Sequence, residues 1–264
     1  MPDRADQDRP EPRKTALVTG SAKRLGRAIA LGLAEDGFDL ALHYNRSQKE
    51  AEALRSDIEA IGGRAITVGG DLTDPDRSPT ILETARQALG PFTLLVNNAS
   101  LFEQDSLSSL TPESFRRLTD VNLTSQLFLM QAFAAQPDLP AGASIINMLD
   151  QQMSAPSPAF FSYAIAKIGL EGATRLAAFE LAPDIRVNGI APGLVLPSWL
   201  QTEEKHRTRQ RTMPLGEGLG PDDIMTAVRY LLVAQHVTGE VLKVDSGQSL
   251  IGPSNSRLLP KADR

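Results

Sequence analysis

Short apolar runs alternate with amphipathic stretches along most of this chain. Runs rich in aliphatic and β-branched residues fall at 16–19, 40–44, 65–68, 94–97, 144–148, 186–190 and 241–244, and several are apolar throughout. A run without polar alternate positions is what a strand covered on both faces requires. Between these runs the apolar positions take helical spacing over 25–36, 48–61, 79–89, 112–135, 160–181 and 221–233. Strands separated by helices imply right-handed crossovers. The pattern therefore predicts one α/β domain, a doubly wound parallel sheet of about seven strands with helices on both faces. No repeat of solenoid or propeller period interrupts it.

One segment departs from the alternation. From 194 to 220 the chain reads "LVLPSWLQTEEKHRTRQRTMPLGEGLG", rich in charge, Pro and Gly. A connection of that length in a compact domain reads as a substrate lid with short helical content, the alternative being a solvated insertion. The domain is expected to span 14–252, between a charged, Pro-rich lead-in over 1–13 and a tail over 253–264.

Composition narrows the function classes. The 264 residues carry 27 Lys and Arg against 32 Asp and Glu, a net charge of −5, with both signs mixed along the chain. No basic stripe marks a nucleic-acid partner. No apolar run is long enough to span a bilayer, and the N-terminal stretch lacks the apolar segment of a secretory signal. Cysteine is absent, which excludes disulfides and thiolate chemistry and agrees with a cytoplasmic location. No metal site is expected, and the partner implied is a small molecule.

The first βα junction reads "VTGSAKRLGRAIALGLAEDG". Gly20 allows a tight turn, and Gly26 allows the helix opening at Leu25 to lie close to the strand and to a ligand. The helix then directs N–H groups and the positive end of its dipole toward a pyrophosphate. A glycine pair is weak alone, and its place between first strand and first helix gives it weight. The second strand ends in "LHYNRSQ", without the acid that commonly holds the ribose diol of NAD. Arg46 and Ser47 stand there instead, with Lys23 and Arg24 in the first turn. A guanidinium fork and a hydroxyl suit a 2′-phosphate, which favours NADPH; ordinary surface charge is the plainer reading. Asp71 and Leu72 follow the third strand and could flank the adenine. Asn97, Asn98 and Ala99 end the fourth and could support the cofactor from beneath, although both stretches also suit strand-end turns.

The chemistry-bearing stretch is "INMLDQQMSAPSPAFFSYAIAKIGLEG". Tyr163 and Lys167, four apart on a predicted helix, share one face. An ammonium beside a phenol is expected to lower the phenol's pKa and make it a better proton donor. Asn122, in "DVNLTSQ", is a candidate anchor for a proton-relay water or a satisfied helix Asn. Asp150 ends the fifth strand thirteen residues before Tyr163. It reads as a proton-donating carboxyl or as a strand-end turn residue.

Taken together, Thr19-Gly20 with Gly26, "NNAS", Asn122, Tyr163/Lys167 and "RVNGIAPG" occur in the order of the short-chain dehydrogenase/reductase family, and the chain resembles it from Thr15 to about Leu250. The resemblance implies a Rossmann-like domain, a nicotinamide cofactor reached also by Tyr163, Lys167, Pro192, Gly193 and Leu194, a Tyr/Lys/Asn proton system, and a homotetramer or a dimer. Within that family the details resemble the pteridine and dihydromonapterin reductases. Arg24 stands where most members keep a glycine, and "HYNRS", with Tyr44 and Asn45, resembles their 2′-phosphate motif. Ser100 and Phe102 match positions that hold and stack on the pterin, although Phe102 also reads as plain core. Asp150 occupies the place of the wider family's catalytic Ser, as in the pteridine reductases. The expectation is NADPH-dependent reduction of a pterin C=N bond. The competing expectations are a reductase of some other carbonyl or imine and an NADPH sensor without turnover. The lid, with Trp199 as an anchor or as ordinary packing, matches no substrate loop.

Overall fold

The computed structural model describes residues 14–154, 156–198 and 201–251. The expected lead-in, the whole tail over 253–264 and Trp199 lie outside them. Seven strands form one parallel sheet: β1 Thr15–Val18, β2 Asp39–Tyr44, β3 Ala65–Gly69, β4 Leu94–Asn97, β5 Ala143–Met148, β6 Ile185–Pro192 and β7 Val241–Val244. They lie in the order β3-β2-β1-β4-β5-β6-β7. The principal helices are α1 Arg24–Glu35, α2 Gln48–Ala60, α3 Ser78–Leu89, α4 Pro112–Thr119, α5 Ser125–Ala134, α6 Phe161–Glu180, α7 Glu203–Gln210 and α8 Pro221–Val233, followed by a single turn, α9 Gln248–Ile251.

Successive side chains of a strand point to opposite faces, so the sheet sorts its residues into two cores. Ala16, Val18, Leu40, Leu42, Val96 and Ile146 face α1 and α8, where Ile29, Leu33, Val228 and Leu231 are fully buried. Leu17, Ala41, Leu95, Ile145 and Val187 face α3 and α5, against Ile81, Ala85, Leu129 and Phe133. Both faces are covered, which is why the strands read as unbroken apolar runs. Strand order reverses between β1 and β4, and their connections leave toward opposite faces. The carboxyl ends of these strands therefore open a crevice.

The helix expected over 112–135 is one helical path with a fault in it. α4 starts at a capping box formed by Thr111 and Ser114. A π turn over Asp120–Thr124 then separates α4 from α5. The Asn122 side chain donates to the Leu118 carbonyl at 2.9 Å, occupying the acceptor an α-helical Asn122 N–H would use. At the far end of the turn Ser125 N–H reaches back five residues, to Asp120 O. A wide turn of this kind is frequent at functional sites. The 194–220 segment carries α7, begun by Thr202, whose hydroxyl accepts from Lys205 N. Among the described residues, no helix is long and apolar enough to cross a membrane.

Candidate active site

A cleft of about 800 Å³ runs across the carboxyl ends of the central strands. On one side it is built from the turns after β1, β2 and β3. Gly20 turns at φ +62°, and a Cβ there would lie 2.9 Å from Ala99 Cα. A Cβ on Gly26 would fall 2.3 Å from Gly20 O and 2.5 Å from Asn98 Nδ2. No side chain caps α1, so its first N–H groups have no side-chain acceptor and face the cleft. Clearance at two glycines beside an uncapped helix start fits a pyrophosphate.

Asn98 holds this turn against β4. Its amide donates to Thr19 O (2.8 Å) and Gly20 O (3.2 Å), while the Thr19 hydroxyl accepts from the N–H groups of Asn98 and Ala99, each at 2.9 Å. Asn97 points away from the cleft, donating to Asn147 at 2.9 Å inside the protein. Lys23, Arg24, Leu25, Asn45, Arg46, Asp71, Leu72 and Ala99 all line the cleft. Lys23 is paired with Glu50 (2.7 Å), and Arg24 donates to Pro197 O of the lid (2.8 Å). Asn45 donates to Asp71 (3.1 Å), joining the ends of β2 and β3. Arg46 is exposed at the mouth. Two expected cofactor contacts stand back from the lining: Tyr44 rests its ring on Gly69, and Ser47 begins α2.

The other side carries the reactive side chains. Asp150 leaves β5 and starts a 3-10 turn over Gln151–Met153. One carboxylate oxygen accepts from Gln152 N at 2.7 Å and the other from Tyr163 Oη at 2.8 Å. Asp150 is thus both the strand-end cap and the phenol's partner. Burial pushes its pKa up, against the downward pull of its hydrogen bonds and of Lys167. Burial and the adjacent Asp150 push Tyr163 well above its usual value. The expected lowering of that phenol is therefore corrected. Lys167 donates to Met148 O at 2.7 Å, and its Nζ lies 5.8 Å from the Tyr163 ring centroid, so the nearest charge to the hydroxyl is a carboxylate. Burial brings Lys167 down to about 8.

Asn122 sits behind the lining. Its amide binds Leu101 O (2.8 Å), and its oxygen accepts from Ser100 Oγ (2.8 Å) and Leu101 N (3.2 Å). Ser100 also faces the Tyr163 phenol. Asn122, Ser100, Tyr163 and Asp150 therefore form one polar chain along the wall. Phe102 stacks on Phe160 at 4.3 Å and meets the Tyr163 ring edge-on at 4.8 Å. It backs the tyrosine and is not itself on the lining. The start of α6 is fixed by Asp105, whose carboxylate accepts from Ser162 N at 3.0 Å and from the Ser162 hydroxyl. Pro192 and Gly193 line the cleft beneath the lid, while Leu194 offers its carbonyl to Gln210 at 2.6 Å.

Two lining features escape the sequence patterns. His43 is buried beneath the β1 turn. Glu103 and Arg117 form a bidentate ion pair, at 2.8 and 2.5 Å, along the wall. His43 opens the "HYNRS" stretch without an assigned role in it, and the Glu103–Arg117 pair belongs to no motif with fixed spacing. A polar residue inside the apolar run of β2 and its place at the head of "HYNRS" were the available signals for His43.

Residues 14–208 match the model of the short chain dehydrogenase family. An uncharacterized oxidoreductase of Methylorubrum extorquens is 36% identical over 242 residues, covering 89% of this chain and 97% of the relative. The L-2,3-butanediol dehydrogenase of Corynebacterium glutamicum is 34% identical over 253 residues, covering 89% and 98%. Among solved structures, FolM alternative dihydrofolate reductase 1 from Brucella canis, complexed with NADP, superposes with a TM-score of 0.86 at 38% identity. That match covers 90% of this chain and 95% of that one.

Proposed function

Because this chain belongs to the short chain dehydrogenase family, we propose that it is an NADPH-dependent reductase acting on the ring C=N bond of a dihydropterin or dihydrofolate. The observation that carries the substrate class is the half-buried Asp150 carboxyl, 2.8 Å from the Tyr163 hydroxyl. The likeness to an alternative dihydrofolate reductase complexed with NADP supports both halves of the reading.

NADPH supplies the hydride when bound. Gly20, Gly26 and the start of α1 leave room and donors for its pyrophosphate; Arg46, with Lys23, Arg24 and Ser47 nearby, answers the 2′-phosphate; Asp71 and Leu72 flank the adenine. Reduction of C=N also requires a proton at nitrogen. Asp150 and Tyr163 are pushed in ways that divide the labour: burial keeps the carboxyl protonated further toward neutrality, while the phenol stays protonated throughout. Asp150 is then the acid, Tyr163 holds its carboxylate in place through the hydrogen bond, and Lys167 backs the pair as a cation. Asn122 and Ser100 fix the position of the phenol, Ser100 borders the pterin, and Phe102 supports the Tyr163 ring from behind.

Self-assembly into a homotetramer built from dimers accompanies this reading. Ile165, Ile168, Leu176 and Phe179 stand exposed along α6, Phe179 at 89%. Ile165 and Phe179 lie seven residues either side of Gly172, and Ile168 and Leu176 lie four. An antiparallel pair of α6 helices crossing at Gly172 would set these residues against one another.

A second reading, reduction of a simple carbonyl, has the butanediol dehydrogenase relative in its favour. The deciding experiment is NADPH oxidation across dihydrofolate, dihydrobiopterin, dihydromonapterin and small diketones. Turnover of a dihydropterin at least a hundredfold above that of any carbonyl, as kcat/KM, is the expected result, about 3 kcal/mol of transition-state preference. Preference for a diketone overturns it.

A further inference from the structure

His43 is the next-to-last residue of β2, and only 1% of its surface is exposed. It sits where three strand ends meet. Gly20 N–H donates to its Nδ1 at 3.1 Å, and its Nε2 lies 3.1 Å from Gly70 O. An N–H can only donate and a carbonyl can only accept, so Nδ1 must be bare and Nε2 must carry the proton. The two contacts thus assign one neutral tautomer. Neighbouring backbone bonds, Ser21 N to His43 O (3.0 Å) and Gly70 N to Tyr44 O (2.9 Å), hold the same turns from the main chain. The imidazole supplies the two links those bonds leave unmade.

We propose that His43 is a positioning residue for the dinucleotide, a rigid neutral strut that ties the turn facing the pyrophosphate to the loop facing the adenine. This rests on the reading that an NADP-type dinucleotide fills the cleft. One end of the strut is Gly20, whose carbonyl is also held by Asn98. The other is Gly70, immediately before Asp71 and Leu72. The strut therefore sets the separation between two parts of the site before any ligand arrives. It also spends the Gly20 amide internally, leaving the phosphates to the amides that open α1.

Few side chains could do this. The site requires an acceptor and a donor on opposite edges of a flat, stiff body. Phenylalanine has the shape and neither group; asparagine has both groups and too little reach. Glutamine can offer an oxygen to Gly20 and an amide to Gly70, with more freedom to lose. Burial also keeps the ring neutral, bringing its pKa to about 4, and Asp71 is the one charged group acting on it, in the opposite direction.

The test compares His43→Phe and His43→Gln by NADP⁺ titration calorimetry, with ¹⁵N resonances of the His43 ring recorded on the parent. His43→Phe strands the Gly20 N–H and the Gly70 carbonyl, and is expected to weaken NADP⁺ binding about ten- to a hundredfold. His43→Gln should recover binding to within about fivefold of the parent, since both bonds can be remade. In the parent, Nδ1 should read as unprotonated and shift when NADP⁺ is added. A folded His43→Phe that binds NADP⁺ within twofold of the parent overturns the proposal. If that variant does not fold, a parent Nδ1 signal unmoved by saturating NADP⁺, or a His43→Gln with no recovery, overturns it instead. None of these readouts needs a pterin, so failure of the substrate assignment leaves them intact. A parent that does not bind NADP⁺ ends both readings.

Discussion

The two sides of the cleft are made by different means. On the cofactor side, between β1 and β3, the working surface is backbone, shaped by two glycines and held by polar links from Asn98, Thr19 and His43. On the proton side, from β5 to α6, the working surface is side chains whose value lies in where their protons sit. Damage to the first should appear as lost affinity, because shape is what binds. Damage to the second should appear as lost rate at unchanged affinity, because protonation acts in the transition state.

The sharpest way to break that contrast is Asp150→Asn. The amide still accepts from Gln152 N and keeps the turn, but cannot act as an acid. In single-turnover hydride transfer the rate on a dihydropterin should fall by roughly 10²–10⁴. NADPH affinity should stay within twofold, and the melting temperature should not fall, since a desolvated carboxyl has been removed. A loss of NADPH affinity equal to the loss of rate would erase the distinction between the sides.

Acid unfolding tests the cofactor side through His43. Its pKa is near 4 in the fold and near 6.5 in the unfolded chain. Below 6.5 the unfolded chain takes up a proton the folded one refuses, so stability should fall as pH drops from about 6.5 to about 4. The full difference is on the order of 3 kcal/mol. Denaturant midpoints across that range should show a steeper acid limb in the parent than in His43→Gln; identical limbs would contradict the buried, neutral ring. Arg46→Ala should cost about 1.5–3 kcal/mol in NADPH binding, ten- to a hundredfold, while sparing NADH. Equal losses for the two cofactors would remove Arg46 from the 2′-phosphate. The smallest expected effect is at Glu50, which holds Lys23 at 2.7 Å on the surface. Glu50→Gln should free that ammonium and tighten NADPH by no more than a few-fold, most visibly at low salt. No change at low salt would leave Lys23 without a part in binding.

The same contrast decides what the sequence revealed. The sheet was legible because all seven strands are short and most are buried on both faces, so apolar runs and glycine turns mark them directly. Gly20, Gly26, Tyr163 and Lys167 were legible because their work depends on fixed spacing along one element. The break in the helix over 112–135 was not, because it depends on one Asn amide competing for a carbonyl one turn back. Nor was the rise in the Tyr163 pKa. Which charge lies nearest a phenol depends on a rotamer and on a strand 13 residues upstream, and the ammonium expected beside it is turned toward Met148 O. The role of the His43 ring and the place of the Glu103–Arg117 pair came through tertiary contact.

The π turn at Asp120–Thr124 decides where a change of length in this stretch would be felt. A π turn holds one more residue than an α turn, so removing a residue between 118 and 125 would let the helix run on without a fault. The backbone would gain regularity, and with a residue lost from 121–124 Ser125 N–H would still close on Asp120 O, now four residues back, so everything beyond would keep its orientation. Ser125, whose hydroxyl binds Leu72 O at 2.7 Å, and Gln126, whose amide binds Ala99 O at 3.1 Å, would stay on the loops they hold, whereas Asn122 would be displaced from Leu101 and Ser100. A deletion that improves the helix would thereby leave α5 attached and remove the bracket behind Ser100 and Tyr163, so its cost should fall on the proton side of the cleft.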